Sequence, residues 1–125
     1  MVLDTSALLF WTMDPIKLSP AARKAIDSAS RLVVSSISIW EIALKVKRGK
    51  LVLPLSVSDY VERLQRLEKL DILSVDVQTW LDNLALDWDH RDPADRTIVA
   101  IATRLDCPLV TSDRVIADFY SATIW

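Results

Sequence analysis

Two periodicities of apolar residues alternate along the chain. Compact apolar runs typical of buried strands lie at residues 2–4, 31–35, 71–75, 108–111 and 123–125. Between them, residues 6–14 are apolar nearly throughout, as in a short buried helix. Helices are also predicted over residues 20–28, 38–48, 58–69, 77–84 and 93–105, from apolar residues three or four positions apart or from capping residues. This alternation predicts an α/β fold with a mainly parallel central sheet of four to five strands and right-handed crossovers. We expect a single three-layer domain over residues 1–125.

Capping residues mark where several of these helices begin and end. Ser38, followed three positions later by Glu41, matches a capping box and predicts a helix start at Ser38. Asp92 precedes a proline suited to the first helical position and predicts the start of the most clearly patterned helix. Gly49 follows a lysine-rich turn and predicts a helix end.

The fifth predicted helix carries apolar side chains on one face. Val77, Trp80, Leu81 and Leu84 have the spacing of an amphipathic helix. We expect Trp80 to fill the core or a dimer interface. Stacking on a nucleic-acid base is a hypothesis for Trp88 alone, which lies in a predicted loop.

Composition limits what the chain can do. The formal net charge of −2 argues against binding nucleic acid by overall charge, so such a role must depend on a local patch or on bound cations. A hydrophobic fraction of 51% and a single glycine argue against disorder. One cysteine excludes an intramolecular disulfide and fits a reducing cytosol. No apolar run is long enough to span a membrane, so we expect a cytoplasmic protein.

Four acidic residues are predicted to meet at one edge of the sheet. Asp4 ends the first strand, and Glu41 falls in the first turn of the helix predicted after the second. Asp95 opens the helix that leads into the fourth strand, and Asp113 follows that strand. Ligands bind at the carboxyl ends of the strands in open α/β sheets. Taken singly, helix capping, a helix ion pair or a turn would explain Glu41, Asp92 and Asp113 equally well.

Four carboxylates at one edge of the sheet would need bound cations to offset their negative charge. Four of them in one place would repel one another and resist ionisation. Mg²⁺ or Mn²⁺, which prefer oxygen ligands, would remove that conflict. One or two such ions can hold a phosphodiester, activate water for its hydrolysis and stabilise the leaving oxygen. Thr111 and Ser6 are candidates to orient water or phosphate, although ordinary capping and strand-end hydroxyls share this pattern.

Four segments, in order along the chain, resemble the PIN domain and, more narrowly, the VapC toxins of type II toxin–antitoxin pairs. They are residues 4–9 (DTSALL), 38–51 (SIWEIALKVKRGKL), 90–96 (HRDPADR) and 109–113 (LVTSD). The resemblance spans nearly the whole chain, and the four segments in sequence are more specific than any one of them.

The resemblance implies an Mg²⁺- or Mn²⁺-dependent endoribonuclease that forms a homodimer and is inhibited by a VapB-like antitoxin placed over the active site. It implies that Asp4, Glu41, Asp95 and Asp113 are the catalytic and metal-binding quartet, with Asp92 in support. It leaves open the RNA target, the cleavage sequence and the choice between one and two metal ions.

Basic residues near these acids are candidates for binding substrate. Arg91, Arg96 and Arg114 flank the acidic residues and are predicted to contact phosphate or to pair with the acids. A second basic cluster comprises Lys45, Lys47, Arg48 and Lys50. This cluster would make RNA binding salt-dependent, but a solvated helix end is the simpler interpretation. His90 stands alone in a predicted loop, where a histidine usually has no catalytic role.

The sequence leaves other functions open. A receiver-like phosphoacceptor domain also gathers acids and Mg²⁺ at such an edge, but it needs paired acids after the first strand and a lysine after the last. A phosphatase of the haloacid dehalogenase type needs Asp-x-Asp where this chain has Asp-Thr-Ser. A catalytically inactive PIN-fold binding protein is the third alternative.

Overall fold

A computed structural model describes all 125 residues of the chain. The strands are β1 (Val2–Leu3), β2 (Leu32–Ser35), β3 (Leu70–Leu73), β4 (Leu109–Val110) and β5 (Thr123–Ile124). They form one fully parallel sheet in the order β3-β2-β1-β4-β5. The helices are α1 (Thr5–Met13), α2 (Pro20–Ser28), α3 (Ser36–Lys47), α4 (Val57–Gln65), α5 (Val77–Ala85), α6 (Pro93–Leu105) and α7 (Arg114–Phe119). The predicted α/β fold with a parallel central sheet is confirmed.

Helices cover both faces of the sheet. On one face, a buried cluster that includes Leu3, Leu8 and Leu64 joins β1 to α1 and α4. On the other face, Val2 and Ile101 belong to a second buried cluster, which joins β1 to α6. Successive residues of a strand point to opposite faces, so β1 contributes to both cores. None of the helices is long and apolar enough to cross a membrane.

The chain order reverses at β1, which fixes where a ligand can bind. β1 pairs with β2 on one side and with β4 on the other. The Asp4 backbone N–H donates to the Val110 carbonyl at 3.1 Å, so the carboxyl ends of β1 and β4 lie side by side. Crevices at such a reversal, outside the carboxyl ends of the strands, are the usual ligand sites of open parallel sheets.

The predicted start of α3 is wrong. The helix begins at Ser36 with Ser35 as its N-cap, and Ser35 Oγ accepts from the Ile37 N–H at 3.1 Å. Glu41 therefore lies in the second turn, and there is no capping box at Ser38. The reason is that β2 passes directly into the helix, so the first serine after the strand caps it. Two further bounds differ: α4 ends at Gln65 and not near residue 69, and β3 covers Leu70–Leu73 and not residues 71–75.

The apolar stripe of α5 does not face the core. Its exposed fractions are 75% for Val77, 43% for Trp80, 54% for Leu81 and 77% for Leu84. The opposite face is buried instead, and Asn83 Nδ2 donates to Thr97 Oγ1 of α6 at 2.9 Å. The core role considered for Trp80 is therefore wrong, and an interface role remains a prediction.

Candidate active site at the carboxyl edge of the sheet

Asp4 is the most deeply buried acid of the chain, at 6% exposed. It is the N-cap of α1, and its Oδ1 accepts from the Ala7 N–H at 2.7 Å while its Oδ2 accepts from Thr111 Oγ1. Burial raises the pKa of Asp4 to about 6; the two hydrogen bonds lower it, and the charges of Asp95 and Asp113 raise it further. At neutral pH this carboxylate is ionised at a cost to stability.

Glu41 reaches the same edge from the second turn of α3. Thr5 Oγ1 donates to Glu41 Oε1 and lies 2.9 Å from Ser38 Oγ. Burial raises the pKa of Glu41, the hydrogen bond from Thr5 and the charge of Lys45 lower it, and the charges of Asp92 and Asp95 raise it. Thr5, the residue after Asp4, thus fixes the carboxylate of a different helix beside the end of β1.

Asp95 lies in the first turn of α6, as predicted. Its Oδ2 is 2.8 Å from His90 Nε2, and no hydrogen bond engages its Oδ1. Asp92 is the N-cap of the same helix and accepts from the N–H groups of Ala94 and Asp95 at 2.9 and 3.0 Å. Burial raises the pKa of Asp95; the hydrogen bond from His90 lowers it, and the charges of Asp92 and Asp113 raise it.

Asp113 lies half-buried where the chain leaves β4. It is the N-cap of α7, and its backbone N–H donates to Thr111 Oγ1 at 3.0 Å. Because the same hydroxyl donates to Asp4, Thr111 links two of the predicted acids. Ser6 is half-buried in the first turn of α1, and its side chain makes no hydrogen bond.

The fold thus brings the four acids into electrostatic contact. The charges of Asp95 and Asp113 raise the pKa of Asp4, and the charge of Asp95 raises the pKa of Glu41. No three carboxylate, histidine or cysteine side chains are close enough together to form a ready-made ligand set for one ion. Mg²⁺ does not require such a set, because it is usually held by one or two carboxylates and keeps several waters. The carboxylate and hydroxyl oxygens of this edge fit a hard dication.

Arg96 is engaged by the protein rather than free to bind phosphate. Its guanidinium donates to the backbone carbonyls of four residues of the segment that precedes α6. They are Asn83 (2.7 Å), Leu86 (3.1 Å), Trp88 and His90 (3.0 Å). These bonds fix the loop that carries His90, and therefore the position of the imidazole beside the Asp95 carboxylate.

The other residues predicted to meet RNA are placed differently. Arg91 and Arg114 are exposed, and their side chains form no ion pair or hydrogen bond. Trp88 is packed within the protein, because its ring stacks on Phe119 with centroids 4.6 Å apart and lies 4.7 Å from the ring of His90. A base therefore has no free face of Trp88 to stack on without displacing one of these rings.

The sequence did not indicate that His90 and Thr5 hold two of the acids, although Thr5 was a candidate to orient water or phosphate. His90 has no helical or strand periodicity around it, and its position depends on the contacts that Arg96 makes with the loop backbone. Thr5 is part of a run of small residues that looks like ordinary helix capping. The sequence offered one signal for His90. It lies two residues before Asp92, the N-cap of α6, and therefore close to the first turn that carries Asp95.

A model of the PIN domain matches residues 1–121 of the chain. Among characterised proteins, Ribonuclease VapC22 of Mycobacterium tuberculosis is 31% identical to it over 115 residues, a match that covers 91% of this chain and 87% of that relative.

Two solved structures show the same fold. A chain of a toxin–antitoxin complex from Klebsiella pneumoniae superposes with a TM-score of 0.67 at 16% identity, covering 99% of this chain and 95% of that one. VapC20 of Mycobacterium tuberculosis, described as a sarcin–ricin loop cleaving toxin, superposes with a TM-score of 0.64 at 14% identity, and the match covers 95% of each chain. At these identities the likeness is one of fold.

Proposed function

The chain belongs to the PIN domain family, and on that premise we propose that it is a metal-dependent endoribonuclease, the toxin of a VapBC-type toxin–antitoxin pair. The observation that carries this proposal is the placement of four acids from distant parts of the chain at the carboxyl edge of the sheet. Thr111 links Asp4 to Asp113 there, and Thr5, the residue after Asp4, holds Glu41. The similarity to Ribonuclease VapC22 favours RNA as the substrate. The family match disfavours the receiver-like and phosphatase-like alternatives.

PIN ribonucleases are generally metal-dependent, and we assign Mg²⁺ or Mn²⁺ to this edge. Asp4 and Asp95 are its principal ligands in the proposal, and Glu41 and Asp113 would bind the waters that the ion keeps. A bound dication supplies positive charge that neutralises the phosphate and makes the attacking water more acidic. Asp92 supports the site as the cap that orients the first turn of α6.

The chain's own residues hold this site in shape. Thr111 orients Asp4, Thr5 orients Glu41, and His90 holds one oxygen of Asp95 while the other is free. Residues that orient the ligands of a metal commonly matter for metal affinity nearly as much as the ligands do.

RNA would approach an edge rich in negative charge, so cationic side chains are needed to hold it. Arg91 and Arg114 are exposed, unpaired and adjacent in sequence to Asp92 and Asp113, which suits them to bind the phosphate being cleaved. Ser6 is a further candidate to contact phosphate from the first turn of α1.

RNA cleavage by the purified chain tests the proposed activity. We expect end-labelled RNA to be cut internally in the presence of Mg²⁺ or Mn²⁺, and cutting to stop when EDTA removes the metal, because the carboxylates alone repel the phosphate. Asp27→Asn, an exposed substitution on α2, serves as a control that should cut at the wild-type rate. Cleavage that continues undiminished in EDTA would rule out a metal-dependent mechanism.

An antitoxin is the proposed protein partner, as in the Klebsiella pneumoniae complex that shares this fold. A groove of about 410 Å³ lies between α1, α4 and the segment before α4. Most of its lining is apolar and includes Trp11, Met13, Leu55 and Leu64. An apolar helix or extended segment of a partner would bury this surface.

A second copy of the chain is the proposed occupant of the exposed face of α5. The exposed side chains of the four apolar residues would bury a few hundred Å² per protomer, about half of the roughly 800 Å² per partner of a standard interface, so neighbouring residues must supply the rest. Contiguous exposed apolar patches of this kind usually mark an interaction site.

We expect Leu81→Asp and Leu84→Asp, separately and together, to convert a dimer into a monomer, because a carboxylate in a dry interface is costly. Size-exclusion chromatography with light scattering measures this directly. Gln78→Asp, on the same helix but outside the stripe, is the matched control. A wild-type protein that is monomeric at high concentration would refute the proposed interface.

A further inference from the structure

A basic pocket opens beside the acidic edge at the carboxyl end of α3. It has a volume of about 300 Å³ and is lined by Lys45, Arg48 and Lys50. Glu41 and Asp92 line the same pocket, so it is continuous with the proposed active site. Gly49, with a φ of 69°, turns the chain after α3 and places Lys50 beside the helix it has just left.

The three cations of this pocket form no ion pair or hydrogen bond, although the charge of Lys45 lowers the pKa of Glu41. No carboxylate lies within ion-pair distance of Lys45, Arg48 or Lys50, and their side chains donate no hydrogen bond. All three are exposed. The cluster is thus available to an anionic ligand.

A favourable interaction with the helix dipole does not explain the arrangement. Lysine and arginine stabilise the last turn of a helix wherever they stand on it. Lys45 and Lys47 both lie in that turn, but of the two only Lys45 lines the pocket, together with Arg48 and Lys50. The convergence, and not the charge alone, is what points to an anionic ligand.

We propose that Lys45, Arg48 and Lys50 form a subsite that binds a backbone phosphate of the RNA strand next to the phosphodiester that is cleaved, an inference that rests on the ribonuclease proposal. The chain as a whole has a net charge of −2, so a polyanion is not drawn to it by overall charge. A local cationic pocket that shares Glu41 with the acidic site holds the strand where the adjacent phosphate must meet the acids.

The subsite predicts a specific dependence on salt. Each phosphate contact on a single strand contributes about 0.7 to the slope of log K against log salt concentration. The double variant Arg48→Gln/Lys50→Gln, which keeps Lys45 beside Glu41, should therefore lower that slope by about 0.7 for the one phosphate and raise KM roughly tenfold, with kcat unchanged. Lys24→Gln/Lys47→Gln removes the same charge outside the pocket and should leave KM and the salt slope near the wild-type values.

Two measurements on the full chain separate the outcomes. Anisotropy of a fluorescein-labelled single-stranded RNA over a NaCl series gives the slope, with Asp95→Asn added to every protein so that the RNA stays intact. Initial cleavage rates in Mg²⁺, without that substitution, give KM and kcat, and thermal melts show that each variant folds. If the wild type cleaves RNA but both double variants behave alike, the subsite is refuted while the ribonuclease proposal stands. If the wild type cleaves no RNA, the ribonuclease proposal fails and takes the subsite with it.

Discussion

Asp4→Asn is expected to make the metal-free protein more stable at neutral pH while abolishing RNA cleavage. Burial raises the pKa of Asp4 to about 6 from an ordinary value of 3.8, which corresponds to about 3 kcal/mol of unfavourable ionisation in the folded state. Asparagine removes that charge and keeps the cap, because its side-chain oxygen can still accept from Ala7 and its amide can donate to Thr111 Oγ1. The free energy of unfolding in EDTA should rise by up to about 3 kcal/mol.

The stability of the wild type and that of Asp4→Asn should depend differently on pH. Between about pH 4 and pH 6, folded Asp4 binds its proton more tightly than the unfolded chain does, so the stability of the wild type falls as the pH rises through this window. In Asp4→Asn, the free energy of unfolding should no longer decrease by this amount as the pH rises. Urea denaturation in EDTA at several pH values measures it. A variant that is less stable than the wild type at neutral pH and keeps the same pH dependence would show that Asp4 is not strained by burial.

Arg96→Gln is expected to destabilise the fold by about 2–4 kcal/mol, the largest loss among the arginines, because it leaves buried or half-buried carbonyls without a donor. Urea denaturation measures the loss. The NMR signals of His90, the only histidine of the chain, should shift as the loop that Arg96 holds rearranges.

Arg91→Gln is the matched control for Arg96→Gln. Arg91 is exposed and unpaired, so its substitution should leave stability unchanged and weaken RNA binding instead. Equal stability of the two variants would mean that the hydrogen bonds of Arg96 do not hold the loop. Unchanged RNA binding by Arg91→Gln would remove Arg91 from the proposed substrate contacts.

The periodicity of apolar residues was enough to predict the sheet and its helices, and the topology was enough to send the acids to one edge. Asp4 and Asp95 lie where the order of strands and helices requires, because each is tied to a strand end or a helix start. Glu41 reached the same edge although the helix start predicted for it was wrong. One extra turn of α3 still leaves its side chain beside Thr5.

Tertiary contacts decided what local pattern could not. The apolar stripe of α5 has the spacing of a buried face, yet its polar side packs on α6 through Asn83 and Thr97. The spacing of apolar residues shows that one face of a helix is apolar, but it does not show which surface packs against that face. In the same way, the sequence places Arg91 and Arg96 on either side of acidic residues. It does not show that Arg96 donates to backbone carbonyls of the protein while Arg91 is exposed.

The most direct test compares RNA cleavage by the wild type and by Asp4→Asn, side by side in Mg²⁺ and in EDTA, with both proteins shown to be folded. If the acids at the edge of the sheet act through a dication, the wild type cuts only in Mg²⁺. The variant, although at least as stable, should be slower by roughly 10³-fold or more, the equivalent of about 4 kcal/mol of transition-state stabilisation. Cleavage by Asp4→Asn at the wild-type rate would contradict a role for this edge in the reaction.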